Sequence, residues 1–199
     1  MTSIETSQYE RHVSDNPLGV KDIEQQPKGR GMRFTLNGAL WSLQALFGFF
    51  FAGSGFGKVL LYDGALYAAA PRAVAWYAAV PQPLIVFIGI CEVLGGVGLI
   101  LPAMARVKPK LTPLAAAGLT LTMILAAGFH IIRGEYALVP ANLLLGGVAA
   151  FVMVGRGKLR PVAPAILTTS RALRSFAVLG AVVLLTFVPT WYTMTNIQF

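Results

Sequence analysis

Five apolar stretches, at about 38–61, 84–102, 111–132, 138–154 and 172–195, leave this chain few ways to fold. A membrane-spanning helix needs roughly 20 predominantly apolar residues, with about 17 as the lower end. Four stretches reach that length comfortably, and 138–154 falls at the short end. Hydrocarbon offers peptide groups no hydrogen-bond partner, so only helices and closed barrels cross it. The runs are continuous and do not alternate with a period of two, which selects helices. With 56% of 199 residues hydrophobic and only 12% charged, a soluble domain is excluded. The expectation is an all-α membrane protein: a four-helix transmembrane bundle plus a fifth C-terminal transmembrane helix. Residues 1–33 read as a polar cytoplasmic tail, 34–156 as the four-helix core, and 157–199 as a basic loop with the fifth helix.

A formal net charge of +8 suggests nucleic acid until the placement of the charges is read. Arg11, Lys21, Lys28, Arg30 and Arg33 lie in the tail. Arg106, Lys108 and Lys110 lie in the second loop, and Arg156, Lys158, Arg160, Arg171 and Arg174 in the fourth. The first loop carries only Arg72 and the third only Arg133. Basic loops stay in the cytoplasm, so the N-terminus is expected inside and the C-terminus outside. The charge is therefore a topology signal and a contact for anionic lipid; no nucleic-acid partner is implied. The first apolar run begins near residue 38 behind the polar tail, so no cleavable leader is read.

Four polar side chains interrupt the apolar runs: Lys58, Glu92, His130 and Asn142. An ionisable group in hydrocarbon costs several kcal/mol unless it is paired or faces water, and it marks a site by default. Counted along alternating spans, all four fall in the outer half of the bundle. Each lies on a small-residue stripe: Gly53 and Gly57 in span one, Gly89 and Gly96 beside Glu92. Ala126 and Ala127 accompany His130, and Gly146 and Ala149 accompany Asn142. Small stripes face other helices, so the four groups are expected to point into the bundle. Helical side chains lean toward the helix N-terminus, which tilts Lys58 and Glu92 toward each other. Residues Arg72–Val80 read as a short helix over this cluster, with Tyr62, Tyr67, Trp76 and Tyr77 suited to the interface. Pro189 is expected to kink span five.

These residues resemble the DoxX family in its broad DoxX-like form. The matching stretches are Phe51-Ala-Gly-Ser-Gly-Phe-Gly-Lys58, Phe87-Ile-Gly-Ile-Cys-Glu-Val-Leu-Gly-Gly-Val-Gly-Leu-Ile-Leu-Pro102 and Ala115 to His130, within a core of about 38–156. The resemblance implies a small integral protein of a bacterial cytoplasmic (inner) membrane. It further implies a link, in some relatives, to thiosulfate oxidation by quinone or to membrane-bound redox complexes; for most members no activity is established. The tail and the fifth span depart from the family pattern and read as docking additions for other subunits, through residues 1–33 and 172–199.

Alternatives stay open for each group. Lys58 and Glu92 are either a functional ion pair at a quinone, small-molecule or proton site, or a pair that sets helix register; Lys58 can also snorkel to the interface. His130 is either a quinone donor and proton shuttle or an interfacial residue. Asn142 reads as interhelical glue before it reads as a ligand. Cys91, the lone cysteine, reads as a small buried apolar residue, and it rules out an internal disulfide. A haem held by two histidines is excluded, since the other histidine, His12, lies in the tail. No metal motif, nucleotide loop or catalytic triad is present and no covalently bound cofactor is read; the family resemblance makes quinone the candidate ligand. Two functions follow: a quinone-linked subunit of a redox complex with a polar site near the outer face, or a non-catalytic anchoring or assembly subunit. Whether the chain is itself an enzyme stays open.

Overall fold

The computed structural model describes residues 30–60 and 72–196, with side chains at 35–60, 76–192 and 196. The expected tail interface, Tyr62 and Tyr67 all lie outside the described residues. Contacts divide the chain at Thr35, and the unit Leu36–Phe199 carries everything described below. All its elements are helical: α1 (Arg30–Leu60), a 3-10 helix (Arg72–Ala79), α2 (Gln82–Ala105), α3 (Leu111–Ile132) and α4 (Val139–Val154). A fifth segment consists of α5 (Thr169–Val182), a π-helical turn (Val183–Phe187) and α6 (Val188–Asn196). Five helical stretches are long and apolar enough to cross a membrane. Their large residues face outward: Leu94, Leu114, Leu144 and Phe176 are each at least 65% exposed. In water such a surface would drive aggregation; against lipid tails it is the expected exterior.

Local sequence explains the helix ends. Pro81 caps α2, and a second proline sits in its first turn, where the missing N–H costs nothing. A proline also opens α4. Gly134 turns the chain with φ +74° between α3 and α4, a left-handed conformation that suits a residue without Cβ. The π-helical turn Val183–Phe187 lies just ahead of Pro189. Proline cannot donate to the carbonyl four residues back, and a widened turn absorbs that defect.

The seam between α1 and α2 depends on glycine. A Cβ at Gly55 would lie 2.5 Å from the Gly89 carbonyl oxygen, and one at Gly96 would lie 2.5 Å from the Gly48 carbonyl oxygen. No side chain fits there, so the two backbones pack directly against each other. This corrects the face expected for span one. Gly53 meets Thr186 of the fifth segment at an ordinary 3.6 Å, while Gly48 and Gly55 carry the tight approach. Below the seam Leu40, Phe51, Leu99, Leu119, Val152 and Val182 form the apolar core. The fifth segment joins that core through Val182 and stacks Phe187 edge-on against Phe56 at 5.4 Å.

Candidate functional site

The tight seam sets the position of Lys58. Gly89 leaves room for the Lys58 stem, whose Cβ lies 2.7 Å from where a Gly89 Cβ would stand. The lysine therefore runs along α2 and meets Glu92, one turn further on. Lys58 Nζ donates to Glu92 Oε2 at 2.8 Å and to Ser54 Oγ at 2.8 Å. Both partners are buried, at 6% and 4% exposure. Lys58 thus does not snorkel. A buried pair of this kind is costly to break, because removing one partner strands the other charge.

The pair forms part of the wall of a cavity of about 530 Å³. Lys58, Glu92, His130 and Asn142 all line it, one from each of α1 to α4. The rest of the wall is largely apolar, including Phe50, Leu84, Phe87, Phe129 and Leu145. The 3-10 helix contributes Trp76 and Ala79, and Val80 follows directly after it. Trp76 packs edge-on against His130 and Phe129, with ring centroids 5.5 and 5.9 Å away. The short helix thus lies against the cluster, as its sequence suggests.

His130 is anchored from behind. Its Nδ1 lies 2.7 Å from Glu135 Oε2, and Arg133 Nε donates to Glu135 Oε1 at 2.8 Å. The bond from His130, aided by Arg133, holds the Glu135 carboxyl below its ordinary range, so it is an acceptor. Nδ1 then carries the hydrogen of that bond. Nε2 is left as the nitrogen that a molecule in the cavity can meet. Such second partners orient a histidine much as they do at metal centres. Among the described residues no group of three or more His, Cys, Asp or Glu could hold a metal ion.

Three details differ from the sequence reading. Asn142 is not glue between helices: its Nδ2 donates to the Leu138 carbonyl of its own first turn at 3.0 Å. A short polar side chain in an early helical turn has that backbone acceptor within reach. Cys91 is only partly buried and lines the cavity. Tyr77 is 6% exposed and buried within the protein; burial pushes its phenol far above the usual range, with the Glu92 charge adding. Glu135 was the residue missed. Its position five after His130, in the short turn that follows the same span, was the available signal.

The fold and cavity define a class: a helical membrane protein with five spanning helices and a polar cluster inside four of them. Residues 42–152, more than half of the chain, match the DoxX-like family, and the chain belongs to it. No curated protein and no solved structure matches the chain.

Proposed function

We propose that the cavity binds the head of a quinone, or a lipophilic carbonyl compound of that size, and that the chain is a membrane subunit of a quinone-linked redox complex. In this reading it lies in a bacterial cytoplasmic membrane, with the N-terminus inside and the cavity toward the outer face. The observation that carries it is a mostly apolar cavity of about 530 Å³ lined by a buried Lys58–Glu92 pair and by His130. Ligand pockets commonly combine a broad apolar wall with a few convergent polar groups. The fit is chemical as well. Phe87, Phe129 and Leu84 suit a ring and its lipid chain, while His130 Nε2 and the Lys58 ammonium suit carbonyl oxygens. A quinone would supply two-electron, two-proton redox chemistry. The protein would orient the head, exclude water, and hold a proton at His130 against Glu135.

The test is a titration of the full-length protein in mild detergent with a short-chain ubiquinone. Fluorescence is followed in the native chain and in Trp76→Phe, and the difference isolates Trp76. A saturable quench is expected, roughly tenfold weaker in His130→Ala, as loss of one hydrogen bond implies. A quench that does not saturate, or that His130→Ala leaves unchanged, rejects quinone as the occupant.

A second reading, an anchoring or assembly subunit, draws on the fifth segment. Leu173, Phe176, Leu184 and Leu185 are each at least 64% exposed, a surface that suits a neighbouring helix as well as lipid. Native mass spectrometry that finds a stable partner but no quinone would favour it.

A further inference from the structure

At the end of the bundle opposite the cavity, a second polar cluster surrounds Arg156. This arginine is 4% exposed. Its Nε donates to Gln44 Oε1 at 2.5 Å, and its Nη1 donates to Asn37 Oδ1 at 2.9 Å and to the Arg160 carbonyl at 3.3 Å. Gln44 in turn donates to the Leu99 carbonyl, and the Trp41 ring lies 4.8 Å from the guanidinium carbon. Every one of these partners is neutral. Arg156 Nη2 and Arg160 Nε are buried with no acceptor among the described residues. A buried cation without a counter-charge and with an empty donor is an expensive arrangement.

The surroundings deepen the imbalance. Arg106, Arg156 and Arg160 line one cleft of about 410 Å³, with Asn37, Trp41 and Ala163. Arg106 Nε donates to the Ala163 carbonyl at 2.9 Å, which ties the fourth loop across the end of α2. Among the described residues the carboxylates are Glu92 and Glu135, and both are paired at the cavity end. Lys58 stands 14 residues beyond Gln44 on α1, about 21 Å at about 1.5 Å per residue. That is well over twice the screening length of about 8 Å at physiological salt. The backbone is also unusual at two of the three arginines. Arg106 is left-handed at φ 59°, and Arg156 sits in a π-helical turn, Gly155–Leu159. Both are features that persist where the surroundings demand them.

We propose that this cleft binds a phosphate group, held by Arg106, Arg156 and Arg160. Planar guanidinium forks match phosphate oxygens, and an anion there would occupy the two empty donors and balance the charge. The source is either the headgroup of an anionic phospholipid or free inorganic phosphate. Basic pockets between spanning helices suit anionic headgroups, and Trp41 suits the same depth.

The test uses the full chain, purified in neutral detergent, and native mass spectrometry with phosphatidylglycerol or phosphatidylcholine added. One retained phosphatidylglycerol per chain is expected, with phosphatidylcholine at least roughly tenfold weaker. The double variant Arg106→Gln, Arg160→Gln leaves the buried network of Arg156 in place and should lose the adduct by a similar factor. If inorganic phosphate alone raises the melting temperature of the native chain, but not of the double variant, while phosphatidylglycerol does neither, free phosphate is the source and the site stands. Equal retention of both lipids with no phosphate effect overturns the proposal, as does a double variant that binds like the native chain. A third outcome also overturns it: no response to either phosphate source, with a loss of stability on changing Glu5, Glu10, Asp15, Asp22 and Glu24 to neutral amides. The arginines would then be served by the chain's own carboxylates.

Discussion

The two ends of the bundle solve the problem of buried charge in opposite ways. At the cavity end each charge whose side chain is described has its opposite: Lys58 meets Glu92, and Glu135 meets Arg133 and His130. At the other end Arg156 rests on two side-chain amides, a carbonyl and an indole face. The first arrangement is balanced without help and leaves a largely apolar space beside it, which suits a neutral ligand. The second is unbalanced among the described residues, which suits an anion. Buried polar groups therefore carry different information according to whether their charges close within the fold.

The largest effect is expected where balance is broken at the cavity end. Glu92→Ala leaves the buried Lys58 ammonium with the Ser54 hydroxyl but no counter-charge, and loss of one partner of a buried pair typically costs about 3–5 kcal/mol. Changing both, as Lys58→Met with Glu92→Leu, removes the stranded charge and should recover most of that loss. Thermal unfolding in detergent reads both. A double variant less stable than Glu92→Ala alone would mean that the pair contributes more than the cost of stranding one charge.

Next in size is the seam that sets the pair. Gly55→Ala places a methyl 2.5 Å from the Gly89 carbonyl oxygen, so α1 and α2 must separate. Overpacking of this kind costs about 1–3 kcal/mol. Gly53→Ala meets Thr186 at 3.6 Å and should be near neutral. The contrast also touches function, because Gly55→Ala moves Lys58 away from Glu92 and should weaken ligand binding. If Gly53→Ala proves the more damaging, the seam has been placed on the wrong face.

A comparable loss, about 1–3 kcal/mol, is expected from Gln44→Leu, which leaves Arg156 Nε buried without an acceptor. Here the two ends should part company. Anionic phospholipid should offset part of the Gln44→Leu loss and none of the Glu92→Ala loss. Equal rescue of both variants would show a general lipid effect and remove the distinction between the ends.

Much of this was legible in the residues. Apolar run length alone identifies the five spans, because lipid imposes it. The convergence of Lys58, Glu92, His130 and Asn142 followed from depth and small-residue stripes, and all four do line one cavity. What they bind does not follow from that. The seam was misjudged at Gly53 because glycines four and seven apart occur on several faces of α1, and only the packed backbone shows which face is closest. Gln44 is a polar residue deep in an apolar run, the same signal that singled out Glu92. An uncharged amide is cheaper to bury and so marks a site less strongly, and its partner Arg156 lies 112 residues away. Asn142 misled for a local reason, since a short amide can satisfy itself on its own helix.

The smallest effect expected is the acid response of the clamp behind His130, and it tests whether the cavity end is balanced by charge or merely by packing. Glu135 is held below its ordinary range by the His130 bond first, and by Arg133. A carboxyl lowered in the folded state adds stability above its ordinary value of about 4.3, and that contribution fades as the pH falls through the lowered folded value. Protonation would release His130 Nδ1 and let the ring move against Trp76, 5.5 Å away. The Trp76 part of the fluorescence should therefore show a step on acidification below the ordinary carboxylate range, and Glu135→Gln, already neutral, should show none. Because Glu135 is partly exposed, the step should shrink at high salt. If native protein and Glu135→Gln give the same step, another group moves Trp76, and packing from the 3-10 helix is what holds His130.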